Sequence, residues 1–207
     1  MDKKTLTIAI LAVLAIVGAA VRLVTSQSDG TSRVNLKPFE QLGSAAAEEA
    51  AKVLNHQGTV VVVVEVIEGV KNPVNDAQVK GLKAGLARTR GVTLKEVKEL
   101  KRDMSGDPRE WPAGRAADIA SFGTGVGAVV LFVNFPQGLP PADAAALKGG
   151  SAKLVAVSGA TPVLESLVTQ GTVRAAIVSR TPPAPAPSGP ESPAQWFARV
   201  YTVLRAP

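Results

Sequence analysis

The sequence predicts an α/β fold: a three-layer arrangement of one parallel sheet, strand order 2-1-3-4-5, with helices on both faces. Three observations carry this expectation. The stretch 59–69 (TVVVVVEVIEG) is apolar and β-branched without alternation up to Glu65, as in a strand covered on both faces. Two later runs, 128–135 (AVVLFVNF) and Lys153–Ser158 (KLVAVS), have the same character. Helical-looking segments separate the runs, and repeated alternation of helix and strand builds a parallel sheet.

Composition narrows the chemistry. The chain has 207 residues, of which 46% are hydrophobic and only 4% aromatic, so the core must consist mostly of Val, Ala and Leu. It has no cysteine, which excludes disulfides, thiolate metal sites and a Cys nucleophile. A single histidine, His56, argues against a His-based metal centre or a Ser-His-Asp triad. The net charge is +6, carried by scattered basic residues with no interleaved aromatics. That is a solvated positive surface and gives no sign of a nucleic-acid partner.

In chain order, residues 1–24 read as an N-terminal transmembrane anchor. Asp2-Lys3-Lys4 precedes the uncharged run LTIAILAVLAIVGAAV, at the short end of the roughly 17–25 residues that span a bilayer. The leading lysines place the N-terminus in the cytoplasm and the rest in the periplasm or outside the cell. A cleaved signal peptide is the alternative, since Gly18 and Ala20 suit a cleavage site. The polar stretch 25–37 reads as a linker, and 38–180 as the α/β domain. Its first helix is expected over 39–55, with Phe39, Leu42, Ala46, Ala50, Val53 and Leu54 on one face and Gly58 ending it in the left-handed conformation.

After the valine strand, Asn75 with Gln78 forms a capping-box pattern for a helix over 76–89. Gly81 and Gly85 permit that helix to pack closely on a sheet. Val92–Lys101 (VTLKEVKELK) suits an exposed edge strand with lysines along it. Asp107-Pro108-Arg109-Glu110 is a second cap signature, for a helix that restarts near Trp111 and runs through Ile119 and Phe122. Strand 128–135, a short helix from Pro141 to Leu147, strand Lys153–Ser158, a helix opened by Thr161-Pro162, and strand Val173–Ser179 follow. Residues 181–193 form a Pro-rich strap. The tail 194–207 is too apolar to float free; Trp196, Phe197, Val200 and Tyr201 should dock on the domain as a short helix and strand.

In open parallel sheets, ligands sit beyond the carboxyl ends of the strands, beside the switch in strand order. That edge offers Asn72, Asn75, Asp76, Asn134, Ser158, Thr161 and Arg180 as candidate ligand-binding residues. Glu65 interrupts the valine strand and is either a buried acid or the point where the strand meets solvent. Gly123-Thr124-Gly125-Val126-Gly127 precedes a strand, whereas a dinucleotide loop follows one, so it reads as a turn. No motif supplies an acid–base or nucleophile pair, metal ligands or a cofactor site. The expectation is a non-enzymatic protein.

The segments AEEAAKVLNHQGTVVVVVEV, KGLKAGLARTRGVTLKEVKEL, GAVVLFVNFP and SAKLVAVSGATPVLESLVTQGTVRAAIVSR resemble periplasmic substrate-binding proteins of the sugar-binding, LacI-like type. The resemblance covers residues 47–180 and implies a flavodoxin-like or half-binding-protein topology. Proteins of this family bind ligand between two lobes, and this chain has length for one. The expectation is a non-catalytic subunit of a membrane complex, anchored in the inner membrane, with lipid and protein partners. The alternative is an extracytoplasmic module that binds a small polar, sugar-like ligand for transport or sensing.

Overall fold

The computed structural model describes residues 35–102, 107 and 109–207. In chain order its elements are α1 (Lys37–Val53), β1 (Gly58–Val66), α2 (Pro73–Arg88), β2 (Val92–Lys101), α3 (Arg115–Phe122), β3 (Ala128–Phe132), α4 (Pro141–Gly149), β4 (Lys153–Ser158), α5 (Pro162–Thr169), β5 (Val173–Ser179), α6 (Pro193–Val200) and β6 (Tyr201–Arg205). They form a six-stranded sheet of order β2-β1-β3-β4-β5-β6.

The sheet is mixed, which corrects the all-parallel expectation. Strands β1 to β5 pair in parallel, but β6 runs antiparallel to β5, with Ile177 opposite Val203 and Ser179 opposite Tyr201. The physical reason is that the connection 180–200, which includes α6, leaves and returns at the same end of β5: Arg180 N–H donates to Val200 O at 2.7 Å and Ala184 N–H to Arg199 O at 3.2 Å, so β6 enters beside β5 in the opposite direction. The second correction concerns the membrane. The expected spanning segment, 1–24, lies outside the described residues, and among the described residues no helix is long and apolar enough to cross a membrane. The fold class of the described residues becomes a mixed sheet with flanking helices.

Alternation along β1 divides the core. Val60, Val62 and Val64 pack on one face with α1, α2 and β6, while Val61 and Val63 pack on the other with Ile119, Leu147 and Leu164 of α3, α4 and α5. Both sides of β1 are therefore dry, which is why its apolar run shows no polar alternation.

Several local boundaries move. Helix α1 ends at Val53, and the left-handed turn after it falls on Asn55 (φ 52°) and His56 (φ 59°) rather than on Gly58. Asn and His are among the residues that tolerate this region. Helix α2 starts at Pro73, with Asn72 as its cap, because Asn72 Oδ1 accepts from the Val74 and Asn75 amides at 3.0 and 3.4 Å. Helix α3 starts only at Arg115, after Gly114 at φ 85°. Pro112 lies just ahead of it, and Asp107 instead holds the main chain and guanidinium of Arg109 at 2.8–3.1 Å. That pairing holds the Asp107 carboxyl down to about 2. Pro108, the expected first helical residue there, lies outside the described residues. Gly81 and Gly85 face α1 rather than the sheet: a Cβ on Gly81 would overlap the Glu40 carbonyl, and one on Gly43 the Gln78 carbonyl.

Trp196 and Phe197 of α6 are half-buried rather than buried. They form an aromatic cluster with Tyr201, at 5.4 and 5.6 Å between ring centres, and Trp196 meets Phe39 of α1 at 6.2 Å. Lower down, Glu49 of α1 is 4% exposed and takes both Arg205 nitrogens at 2.8 and 2.9 Å and Lys52 Nζ at 2.8 Å. Burial pushes its carboxyl up, but the bonds and charges of Arg205 and Lys52 together outweigh it and leave the pKa below the ordinary 4.5.

A carboxyl whose folded pKa is depressed adds stability above its unfolded pKa and loses it as pH falls through the folded value. Glu49→Ala should therefore cost about 2 kcal/mol near neutrality, the value of a charged hydrogen-bonded pair. Urea titrations at a series of pH values should show this deficit in full above the ordinary carboxyl value of 4.5 and shrinking as pH falls below it.

Candidate functional site

Strand order reverses at β1, since the chain passes from β1 to β2 on one side and returns to β3 on the other. A cleft of about 260 Å³ lies at the carboxyl ends of the strands there, lined by residues from the ends of β1, β3, β4 and β5, from the start of α2 and from Tyr201 of β6. Each polar group arrives for a local reason. Asn75 sits in the first turn of α2, and its Nδ2 donates to Glu65 O at 2.7 Å, tying helix to strand. Gln78 lies one turn further along, half-buried. Asn134 follows β3, and its Nδ2 donates to Glu65 Oε2 at 3.3 Å. Ser158 closes β4, and its Oγ accepts from the Phe135 amide at 3.1 Å. Ser179 closes β5 and lines the same cleft.

These groups are only partly satisfied by the protein. Asn75 and Asn134 each spend the amide nitrogen on Glu65, leaving the amide oxygens. Ser158 uses an acceptor and keeps its hydroxyl proton. Among the described residues, the Gln78 and Ser179 side chains make no hydrogen bond. The cleft thus presents alternating acceptors and donors above an apolar floor of Phe132, Val133 and Val157. That combination suits a small polyhydroxylated or amide-bearing molecule.

Glu65 organises this edge. By alternation it points to the second face, with its side chain 14% exposed. Its carboxylate faces Arg102 Nη1 at 3.7 Å and Arg115 Nη1 at 3.8 Å. Arg115 is buried, and its Nη2 donates to Lys101 O at 2.7 Å, while Nη1 has no hydrogen-bond partner. The carboxylate is held from behind by two cations and presents an oxygen to Asn134 in front.

Of the candidate residues named from sequence, the cleft gathers Asn72, Asn75, Asn134 and Ser158. Asn72 is occupied as the helix cap. Asp76 is exposed and lines a separate groove between α2 and β2. Thr161 is buried, with Oγ1 accepting from the Leu164 amide at 3.2 Å as the cap of α5. Arg180 turns away, its Nε donating to Tyr201 O at 2.9 Å across the β5–β6 joint. The residues that sequence reasoning left out of the site are Glu65, Gln78, Ser179 and Tyr201. Glu65 was visible as the single charge in the valine run, whereas Gln78 was absorbed by the capping-box reading and Tyr201 by the core. Phe135, next to Asn134, lies buried under Trp111 at 5.0 Å, and Trp111 Nε1 donates to Asn134 O at 2.7 Å. Tyr201 is the aromatic that reaches the cleft, and burial pushes its phenol pKa up.

Among the described residues, no group of three or more His, Asp or Glu could hold a metal ion. No family model matches the chain, and no curated protein matches it. Similar folds occur among solved structures. An ABC transporter solute-binding protein from Burkholderia graminis in complex with D-arabinose is 20% identical, with 67% of this chain and 46% of that one covered and a TM-score of 0.48. A second, from Agrobacterium vitis with bound α-D-tagatopyranose, is 22% identical over 66% of this chain and 43% of that one, at 0.47. The arabinose-binding protein AraP from Geobacillus stearothermophilus is 17% identical over 68% and 45%, at 0.48. The chain spans less than half the length of these three proteins.

The reading as a membrane-anchored complex subunit with lipid and protein partners at the inner membrane is corrected. It rested on length for a single lobe and on the sequence showing no cluster of polar or aromatic stacking residues, whereas the cleft gathers polar groups around Glu65. Among the described residues no helix is long and apolar enough to cross a membrane, and the expected anchor, 1–24, lies outside them.

Proposed function

We propose that this chain is an extracytoplasmic, non-catalytic module that binds a small polar, sugar-like ligand at the carboxyl edge of its sheet. The observation that supports it best is the half-satisfied set Asn75, Gln78, Asn134, Ser158 and Ser179 around one cleft of about 260 Å³. Half-buried polar groups that lack protein partners, here Gln78 and Ser179, are costly unless water or a ligand completes them. The volume suits one monosaccharide ring, and Tyr201 supplies an aromatic surface beside it. The likeness of residues 47–180 to sugar-binding proteins points the same way.

A single lobe covers only one side of its ligand, whereas tight small-molecule sites enclose most of it. The expected affinity is accordingly weak, with Kd on the order of 1 mM. Calorimetric titration of the full chain against neutral monosaccharides, D-arabinose first, should give saturable heat. Asn134→Ala, at an exposed position, and Asn75→Ala should each weaken binding about tenfold, the value of one well-placed hydrogen bond. No saturable heat with any monosaccharide, or binding unaffected by both substitutions, would remove this reading.

A further inference from the structure

Strand β2 is the outermost strand on the β1 side, and its far edge has no partner strand among the described residues. Such an edge presents a row of N–H and C=O groups ready to pair with another strand. Two observations bear on what would fit it. Val97, in the middle of β2, is 36% exposed and, among the described residues, is one of two exposed large hydrophobics, the other being Val70 at 59%. Both line the groove of about 1100 Å³ that runs along β2. The second observation is the charge order about Val97, which reads Lys95-Glu96-Val97-Lys98-Glu99.

An antiparallel pairing of this strand with its own copy, about an axis through Val97, sets Glu96 opposite Lys98 and Lys95 opposite Glu99. Neighbouring registers fail. An axis through Glu96 or Lys98 sets that charge against itself. An axis between Glu96 and Val97 sets Lys95 against Lys98, and one between Val97 and Lys98 sets Glu96 against Glu99. Opposite charges directly across a strand pair stabilise it and like charges destabilise it, so the sequence selects one register. Edge lysines alone would repel a copy; here each is balanced by a glutamate. Glu96 and Lys98 already pair at 2.8 Å, each 40% exposed. Two copies would bring four such charges together in alternating order. Pairing with β1 shifts register at Lys95, so the Glu96–Lys98 exchange fixes the register more strongly than the outer pair.

We propose that two copies of this chain associate through β2, antiparallel about Val97, to form one continuous sheet. The contact is self-complementary, as a two-fold interface requires. It lies along the sheet edge and leaves the strand-end cleft open, so it is independent of the ligand reading.

The chain has no cysteine, which makes Val97→Cys a clean probe. Opposed Cα atoms in antiparallel strands are about 4.5–5.5 Å apart, within the disulfide range of about 4.4–6.8 Å. Under mild oxidation the full-chain V97C protein should form a covalent dimer, while Ser121→Cys, exposed on α3, should not. In sedimentation equilibrium, E96K or K98E alone should weaken the dimer about tenfold or more, and the E96K/K98E double variant should recover most of the loss. A chain that stays monomeric up to about 100 μM, a V97C protein that cross-links no faster than S121C, or self-association insensitive to both reversals would overturn the proposal.

Discussion

Gly81→Ala should lower the unfolding free energy by about 3 kcal/mol, although alanine is the better helix former by about 1 kcal/mol. The sign follows from the crossing of α1 and α2. A Cβ at Gly81 meets the Glu40 carbonyl, and the atoms it meets are all backbone, as are those around Gly43 on the facing helix. A flexible side chain could swing aside, but a helix backbone moves only as a unit, so relief means separating two helices that both cover the first core. Chemical denaturation of the variant is the check. A gain in stability would mean that the helices are not in backbone contact, and would undo the account of why these glycines occupy a helix interior.

Leu131→Ala should cost about 4 kcal/mol. Leu131 is fully buried on β3, the strand between β1 and β4, and it packs in the second core with Val61, Ile119 and Leu164. Neighbours on rigid parallel strands cannot collapse into the void, so the cavity term adds to the lost transfer energy. The control is Lys148→Ala, exposed near the end of α4, which should change stability by about 0.5 kcal/mol or less. Equal losses at the two positions would mean that the second face is not a packed core.

The sequence made the parallel part of this sheet legible because burial on both faces leaves a continuous apolar run, as in β1, and because β2 differs in carrying alternating charges. It could not reveal the direction of β6. A short apolar strand reads the same either way, and its antiparallel course depends on Arg180 folding back on Val200 and Tyr201. Helix starts slipped where two caps competed: Asn72 and Asn75 both have capping side chains, and Pro73 at the first position decides for Asn72. The candidate site was legible in part. Asn75, Asn134 and Ser158 follow from the rule about strand ends, since each sits where a strand or its following helix must stop or start. Arg180 and Thr161 sit at the same ends but are used by the backbone around them. Tyr201 reaches the cleft from a segment distant in sequence, and no local pattern announces that.

If a small polar ligand binds at the carboxyl ends of the strands, amide chemical-shift mapping of the full chain titrated with D-arabinose will show it. Saturable shifts are expected, confined to the amides around Asn75, Gln78, Asn134, Ser158 and Ser179, with Tyr201 moving with them. At the opposite end of the sheet, Glu49, Lys153, Arg174 and Arg205 line a separate cleft of about 430 Å³. Shifts centred there, or none that saturate, would contradict it.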